Sequence, residues 1–370
     1  MKIVYFSHAL TSCWNHGNAH FQRGLLRELQ AMGHSIAAFE PADSWSRQNL
    51  IVDQGQTAVS NFQSQFPELR VHTYNGTADV SSALDGAQLA IVHEWTDPAV
   101  VSAIGRHGSS TPGLTILFHD THHRAVSDPA AMRAYDLSAY DGILAFGQSL
   151  ADVYERHGWG SRAFVFHEAA DTALFHPASI PLSDRQGAIW IGNWGDGERT
   201  REIQAYLLRP ARDAGLSLEI HGVRYPDDAE IMLQSFGARY RGWIANACVP
   251  QAFAAHRLTV HVPRRFYRTV LPGIPTIRVF EALACGIPLI SAPWFDCEGL
   301  FRPGKDYLTA ASTEEMSRAM RDIVADDSLA SDLIDRGWQR IRDFHTCRHR
   351  AEQLLAIATS ITPSLEEALV

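Results

Sequence analysis

Short apolar runs recur along the chain, separated by longer stretches with helical spacing. In the first half they are KIVYF (2–6), SIAAF (35–39), QLAIV (88–92), LTILF (114–118), GILAF (142–146) and AFVF (163–166). Each has the length of a buried strand and is followed by a helical pattern, so parallel strands covered by helices on both faces are expected. The clearest helix follows the first run, where Phe21, Leu25, Leu26, Leu29 and Met32 repeat at three- and four-residue intervals and Gly33 ends the series. The rhythm breaks at 171–187, around Pro177, Pro181 and Gly187. It resumes with AIWIG (188–192), LSLEIHG (216–222), LTVHV (258–262), IPLIS (287–291) and DYLTA (306–310). Residues 312–325, 328–344 and 346–359 read as successive helices with no strand between them. The organisation expected is α/β: a doubly wound Rossmann-like domain over 1–175, a linker over 176–187, a second such domain over 188–345, and a C-terminal helical segment over 346–370 strapping back onto the first domain.

Composition narrows the function classes. A chain of 370 residues suits two domains, and 46% hydrophobic with 20% charged residues is ordinary for a folded protein. The formal charge is −9, and residues 1–175 carry 10 Lys and Arg against 17 Asp and Glu. Such a surface lacks the basic face that nucleic acid or anionic lipid requires, so no nucleic-acid partner is expected. The five cysteines (Cys13, Cys248, Cys285, Cys297 and Cys347) are isolated from one another, as in a protein of the reducing cytoplasm, and form no zinc-type spacing. Residues 2–6 are too short for a secretory signal and no run approaches the roughly 18 apolar residues of a membrane span, so neither export nor integral membrane association is expected. Walker and strict G-x-G-x-x-G fingerprints are absent, which removes P-loop ATPases and nicotinamide dehydrogenases.

In open parallel sheets, ligands bind beyond the carboxyl ends of the strands. After the first strand comes SHALTSCWNHGNAH (7–20), where His16, Gly17 and Asn18 precede a helix whose free N–H groups suit an anion or a sugar hydroxyl. After the third and fourth runs come His93-Glu94-Trp95 and His119-Asp120-Thr121-His122-His123. Histidines at equivalent strand ends suggest a shared binding surface, in which His93 and His119 hydrogen-bond a sugar hydroxyl or stabilise developing charge. A structural hydrogen bond is the commoner role of any one histidine. The second of these clusters lacks H-E-x-x-H or comparable ligand spacing, so no metal is expected.

The second domain opens with WIGNWGDGER (190–199), in which Asn193, Trp194 and three glycines lead to Arg199, an arrangement suited to a diphosphate. Tyr225, in GVRYP, follows the next strand. The segment HVPRRFYRTVLPGIPTIRVFEALACGIPLIS (261–291) concentrates the remaining chemistry: Arg264, Arg265 and Arg268, a loop stiffened by two prolines around Gly273, and a helix beginning near Thr276. That helix puts Arg278 in its first turn and Glu281 three residues later on nearly the same face. A guanidinium clamps phosphates and a carboxylate accepts the two hydroxyls of a ribose. An Arg–Glu surface pair is the alternative, disfavoured by the apolar Ala282, Leu283, Ala284 and Cys285 that follow.

RVFEALACGIPLISAP and the following EGLFRPGKDYL resemble the donor-binding signature of retaining GT-B glycosyltransferases, a group that includes sucrose synthases and many bacterial mannosyltransferases. HEAADTALFHP (167–177) resembles the segment joining the two domains in that group, and IVHEW and ILFHD resemble its first-domain histidine strands. GVRYP, HVPRR and TIRVFEALACG together resemble the spore-maturation CgeB-type branch. The resemblance implies two domains with a cleft between them and a nucleotide diphosphate-sugar donor on the second domain, where the candidate donor-binding residues are Asn193, Trp194, Arg199, Tyr225, Arg264, Gly273, Thr276, Arg278 and Glu281. It further implies transfer without a metal or other cofactor and retention at the anomeric carbon. His119 matches the histidine near the reaction centre and Glu281 the ribose-binding glutamate, while an acceptor of unassigned type would meet His16, Gly17, Asn18 and His93. Two positions depart from the group. Its first glutamate is Gly273 here, and its arginine-plus-lysine pair is replaced by Asn193 and Arg199 in a chain whose only lysines are Lys2 and Lys305. A nucleotide-sugar epimerase and a non-catalytic binding protein remain as alternatives on the same architecture.

Overall fold

The computed structural model describes residues 1–195 and 197–362. Asp196, between Gly195 and Gly197 in sequence, and residues 363–370 lie outside the described residues. The chain divides into two compact units, Met1–Glu168 with the chain from Cys347 onward, and Ala169–Thr346.

The first unit is built on seven strands: β1 (Lys2–Phe6), β2 (Ser35–Pro41), β3 (Val71–Tyr74), β4 (Leu89–His93), β5 (Thr115–Asp120), β6 (Gly142–Ala145) and β7 (Ala163–Val165). They lie in the order β3-β2-β1-β4-β5-β6-β7, and every pair is parallel. β4 and β5 are buried at every position, which is why they read as continuous apolar runs. β3 gave no such signal. It lies at the sheet edge with His72 and Thr73 exposed, so it needs no apolar run to form.

The Ala19–Ala31 helix buries Phe21, Leu25, Leu26 and Leu29. The Cys347–Ile361 helix packs against it, burying Ala351, Leu354 and Ala358, although the whole second unit intervenes in sequence. Two side chains of this helix also bond to the chain just after and within β7: Arg350 Nε donates to the His167 carbonyl at 2.9 Å and Gln353 Nε2 to the Val165 carbonyl at 2.9 Å.

The second unit has β8 (Ala188–Ile191), β9 (Leu218–His221), β10 (Arg239–Tyr240), β11 (Leu258–His261), β12 (Leu289–Ser291) and β13 (Leu308–Thr309), ordered β10-β9-β8-β11-β12-β13 and again all parallel. β10, two residues at the edge, also escaped the apolar pattern. Gln204–Leu208 widens into a π-helix just before Pro210, whose ring has no N–H to continue the α-helical ladder. Ser312 accepts from the Glu315 N–H, and Asp326 from the Ser328 and Leu329 N–H groups, starting the helices Thr313–Ala325 and Asp327–Phe344.

The unit boundary falls at Glu168, upstream of the 176–187 stretch read as a linker. That stretch is anchored to the second unit: Leu182–Asp184 forms a 3₁₀ turn, Arg185 Nη1 donates to the Gly286 carbonyl at 2.9 Å, and the Gln186 N–H to the Ala255 carbonyl at 2.9 Å. Its prolines interrupt the strand rhythm without freeing the chain.

Truncating a fully buried leucine leaves a cavity that the surroundings fill only partly. Leu354→Ala should therefore lower the stability of the first unit by about 3 kcal/mol. The measurement is a urea titration against wild type; an unchanged midpoint would show that the last helix is not an integral part of that core.

Candidate functional site

Both sheets reverse strand order at one point, between β1 and β4 in the first unit and between β8 and β11 in the second. The polar segments singled out in the sequence emerge at the carboxyl ends beside these points.

In the first unit, His93 and His119 are register partners on β4 and β5, so their imidazoles share a face with ring centroids 5.8 Å apart. His8 and His16, from the loop after β1, complete the cluster, with His8 4.1 Å from His16 and 5.2 Å from His93. Fully buried Glu40, at the end of β2, organises that loop by accepting the Leu10 and Thr11 N–H groups at 2.7 and 3.0 Å and pairing with Arg47 at 3.0 Å. The Trp95 N–H lies 3.4 Å from His93 Nδ1, which assigns the proton to Nε2 and makes it the donor to Thr121 Oγ1 at 3.2 Å. Thr121 Oγ1 also accepts from Asn18 Nδ2 at 3.0 Å and faces Glu94 Oε1 at 3.4 Å. Asn18 thus spends its side chain on this network and leaves the start of the Ala19–Ala31 helix without a side-chain cap.

Burial keeps all four imidazoles neutral. It lowers His8 and His119 to about 3, with Arg124 adding to the effect at His8. His16 falls well below its usual value through burial and then His8 and Arg23, and His93 through burial and then His8 and His119. His119 Nδ1 meets the Tyr5 hydroxyl at 3.0 Å, while its buried Nε2, with His16 Nε2 and His8 Nδ1, has no hydrogen-bond partner among the described residues. A neutral imidazole offers one donor and one acceptor, which suits uncharged hydroxyls.

Behind the imidazoles lies a network the sequence did not announce. Asp120 accepts from the Tyr154 hydroxyl at 2.7 Å and the His122 N–H at 2.9 Å. Arg124 and Tyr135 both donate to the Glu94 carbonyl, at 2.9 and 2.6 Å, and the Arg124 guanidinium lies 4.1 Å from the ring of half-exposed Trp95. Burial, then Asp120, raises the Glu94 carboxyl well above its usual range, and burial raises Asp120 to about 6. Tyr135 and Tyr154 belong to separate downstream segments with no motif of their own, so only the fold brings them here.

In the second unit, Arg199 is 8% exposed and donates to the carbonyls of Val262 at 2.7 Å and Asn193 at 2.6 Å. Burial, then neighbouring Arg264, lowers it to about 10. The two arginines converge on the turn after β8, since a Cβ at Gly195 would start 3.2 Å from each guanidinium. Arg264 pairs with Glu198, a residue the sequence reading passed over, and Arg268 pairs with Glu202 at 3.4 Å. Asn193 Oδ1 accepts the Val223 N–H at 3.0 Å and the Tyr225 hydroxyl donates to the Gly192 carbonyl at 2.7 Å, closing the loop after β9 onto the end of β8. Only glycine fits at 222, where a Cβ would come 2.2 Å from the Gly192 carbonyl oxygen. Trp194 is 3% exposed and belongs to the unit's hydrophobic core, packed on Tyr225 at 5.4 Å, so its ring supports the loop from within instead of lining a binding surface. On the Ile277–Ala284 helix, which Thr276 precedes without a side-chain cap, half-buried Arg278 pairs with fully buried Glu281. The Arg–Glu pair set aside as a surface feature therefore forms, with its carboxylate inside. Among the described residues no group of three or more His, Cys, Asp and Glu side chains is arranged to hold a metal ion. No described helix is long and apolar enough to cross a membrane.

Solved structures with this architecture cover nearly the whole chain. HepE of Anabaena in complex with UDP-glucose superposes with a TM-score of 0.68 at 12% identity, covering 97% of this chain and 100% of that one. Sucrose-phosphate synthase from Thermosynechococcus elongatus gives 0.65 at 15% identity over 98% and 100%, and the β-glucosyltransferase of phage T4 with UDP-glucose gives 0.60 at 12% over 98% and 100%. The fold is GT-B. Residues 199–356 of this GT-B chain match the family model described as glycosyl transferase-like. No curated protein matches the chain.

The neutral imidazoles set a pH dependence. The folded values of His8, His16, His93 and His119 lie below the unfolded value of about 6.5, so from about pH 6.5 down to about 3 the unfolded chain binds more protons and stability falls with pH. Each histidine contributes at most about 1.4 kcal/mol per pH unit. Glu94 and Asp120, raised in the fold, act in the opposite direction and reduce the slope. Urea midpoints of the first unit should decline from about pH 7 to 5, and His93→Gln should flatten the decline. A wild-type profile that is level over this range would contradict buried neutral imidazoles.

Proposed function

We propose that this GT-B protein is a cytoplasmic glycosyltransferase that moves a sugar from a nucleotide diphosphate-sugar to an acceptor, without a metal, with retention at the anomeric carbon, and within the CgeB-type branch. The observation that carries the donor assignment is the buried Arg199 guanidinium beside Arg264. Its two terminal nitrogens rest on backbone carbonyls, so it retains a positive charge that a diphosphate can neutralise. Arg199 and Arg264 stabilise the charge that develops on the leaving diphosphate, and Arg278 adds to it from the first turn of its helix. Glu281 accepts the ribose hydroxyls, sharing its carboxylate between them and Arg278. Asn193, Gly273 and Thr276 form the backbone against which the donor lies. In the first unit His16, Gly17, Asn18 and His93 hold the acceptor's hydroxyls, and His119 takes the role of the family histidine that contacts the transferred sugar, as the motif resemblance implies. The complexes of HepE and the phage T4 enzyme with UDP-glucose support uridine nucleotides as the first probes. Retention and the branch rest on the motif resemblance of the second unit.

The test is a thermal-shift series with UDP, GDP, ADP and dTDP. A nucleotide that binds only the folded state stabilises it by about 2.7 kcal/mol at a hundred-fold excess over its Kd. One of the four should raise the midpoint, and Arg264→Ala, Arg278→Ala and Glu281→Ala should each weaken its binding about ten-fold or more, as expected for loss of a charged hydrogen bond. No shift with any nucleotide, or a shift indifferent to all three substitutions, would remove this reading.

A further inference from the structure

The acceptor surface proposed above has imidazoles for hydroxyls, but nothing yet for the apolar face of a sugar ring. The Trp45–Gln54 helix follows β2, the strand paired in parallel with β1, so it starts at the same carboxyl edge as the loop that carries His8 and His16. Loop and helix are tied together: Ser44 Oγ donates to the His8 carbonyl at 2.7 Å and Ser46 Oγ to the Trp14 carbonyl at 2.6 Å. The Trp14 ring meets the Trp45 ring edge-to-face, with centroids 5.2 Å apart and planes inclined by 71°. Trp14 Nε1 donates to Asp53 Oδ2 at 3.1 Å, in the last turn of the same helix.

Held in this way, Trp45 is still 53% exposed. A ring fixed in place before a ligand arrives loses little freedom on binding. Gln48 and Asn49, three and four residues on, share its helix face. Residues 45–65 contain seven Gln and Asn but only two charged side chains, Arg47 and Asp53. Both are engaged, Arg47 with Glu40 and Asp53 with Trp14. The surface around Trp45 is therefore aromatic and amide-rich without net charge. Anionic lipid and nucleic acid need clustered Lys and Arg. A pyranose instead offers C–H groups to an aromatic face and hydroxyls to amides at its rim.

We infer that Trp45, braced by Trp14, is a sugar-binding platform of the first unit, and that the acceptor is an uncharged glycan of two or more rings, one lying on Trp45 while another meets the imidazoles. This rests on the first unit holding the acceptor. The platform and the imidazoles belong to one surface because His8, Trp14 and His16 share a loop, and His8 Nδ1 and His16 Nε2 keep hydrogen-bonding capacity for the reacting ring.

The experiment presents the full chain to a printed array of neutral and sulfated oligosaccharides with their monosaccharides, followed by titration of whatever binds. Wild type should bind neutral oligosaccharides in preference to monosaccharides and sulfated chains. Trp45→Ala should weaken that binding about ten-fold, and Trp45→Tyr should recover part of it. The melting temperature of each variant controls for folding. The nucleotide-induced thermal shift should be the same in wild type and Trp45→Ala. A nucleotide response with no glycan binding, or with glycan binding indifferent to Trp45→Ala, overturns the platform and leaves the transferase reading in place. Glycan binding that depends on Trp45 with no nucleotide response keeps the platform and removes the transferase reading. Trp45-dependent retention on vesicles of phosphatidylcholine and phosphatidylglycerol, without glycan binding, overturns the platform in favour of a lipid surface.

Discussion

Parallel strand pairing is the constraint on which the rest depends. With every pair in both sheets parallel, each connection returns along the face of its sheet, and all strands in a unit release their chain at one edge. The strand interiors satisfy their own backbone and bury apolar side chains, so polar residues collect where the ladder ends. In the first unit this gathers His8, His16, His93 and His119. In the second it gathers Arg199, Arg264 and Glu198.

The two edges answer burial in different ways. Imidazoles meet desolvation by giving up their proton, and the first unit becomes a neutral surface of donors and acceptors backed by carboxyls that burial raises. A guanidinium cannot give up its charge near neutral pH, so the second unit surrounds Arg199 with the carbonyls of Val262 and Asn193 and keeps the charge. A neutral hydroxyl ligand suits the first arrangement and an anion the second. Each edge is also stiffened from behind, by Glu40 holding the loop after β1 and by Tyr225 and Trp194 holding the turn after β8. Loops held this way keep their polar groups in place before a ligand arrives.

Much of this was legible in the chain. Eleven apolar runs stood where β1, β2, β4 to β9 and β11 to β13 form, most continuously at β4 and β5, where a strand buried on both faces must be apolar throughout. β3 and β10 were missed because β3 leaves His72 and Thr73 exposed and β10 is only two residues long, whereas the edge strands β7 and β13 each carry an apolar run. The strand-end positions of His93 and His119 could be read, since an apolar run that stops at a polar residue marks the end of a strand, and Arg199 and Arg264 follow in the loops after β8 and β11. The burial of Trp194 in the core could not, because a tryptophan in a glycine-rich turn reads equally as a ligand platform.

By itself the sequence determined the class of fold, the order of its elements and the residue types at each strand end, all of which follow from local periodicity and burial. Only the tertiary structure decided which of those residues meet. The register of β4 on β5 set His93 beside His119, the last helix joined the first unit across the whole length of the second, and Trp14 came to rest against Trp45. Each of these pairings joins residues distant along the chain or on separate elements. Periodicity records which face of an element is buried, while sheet register and loop path determine what lies opposite it.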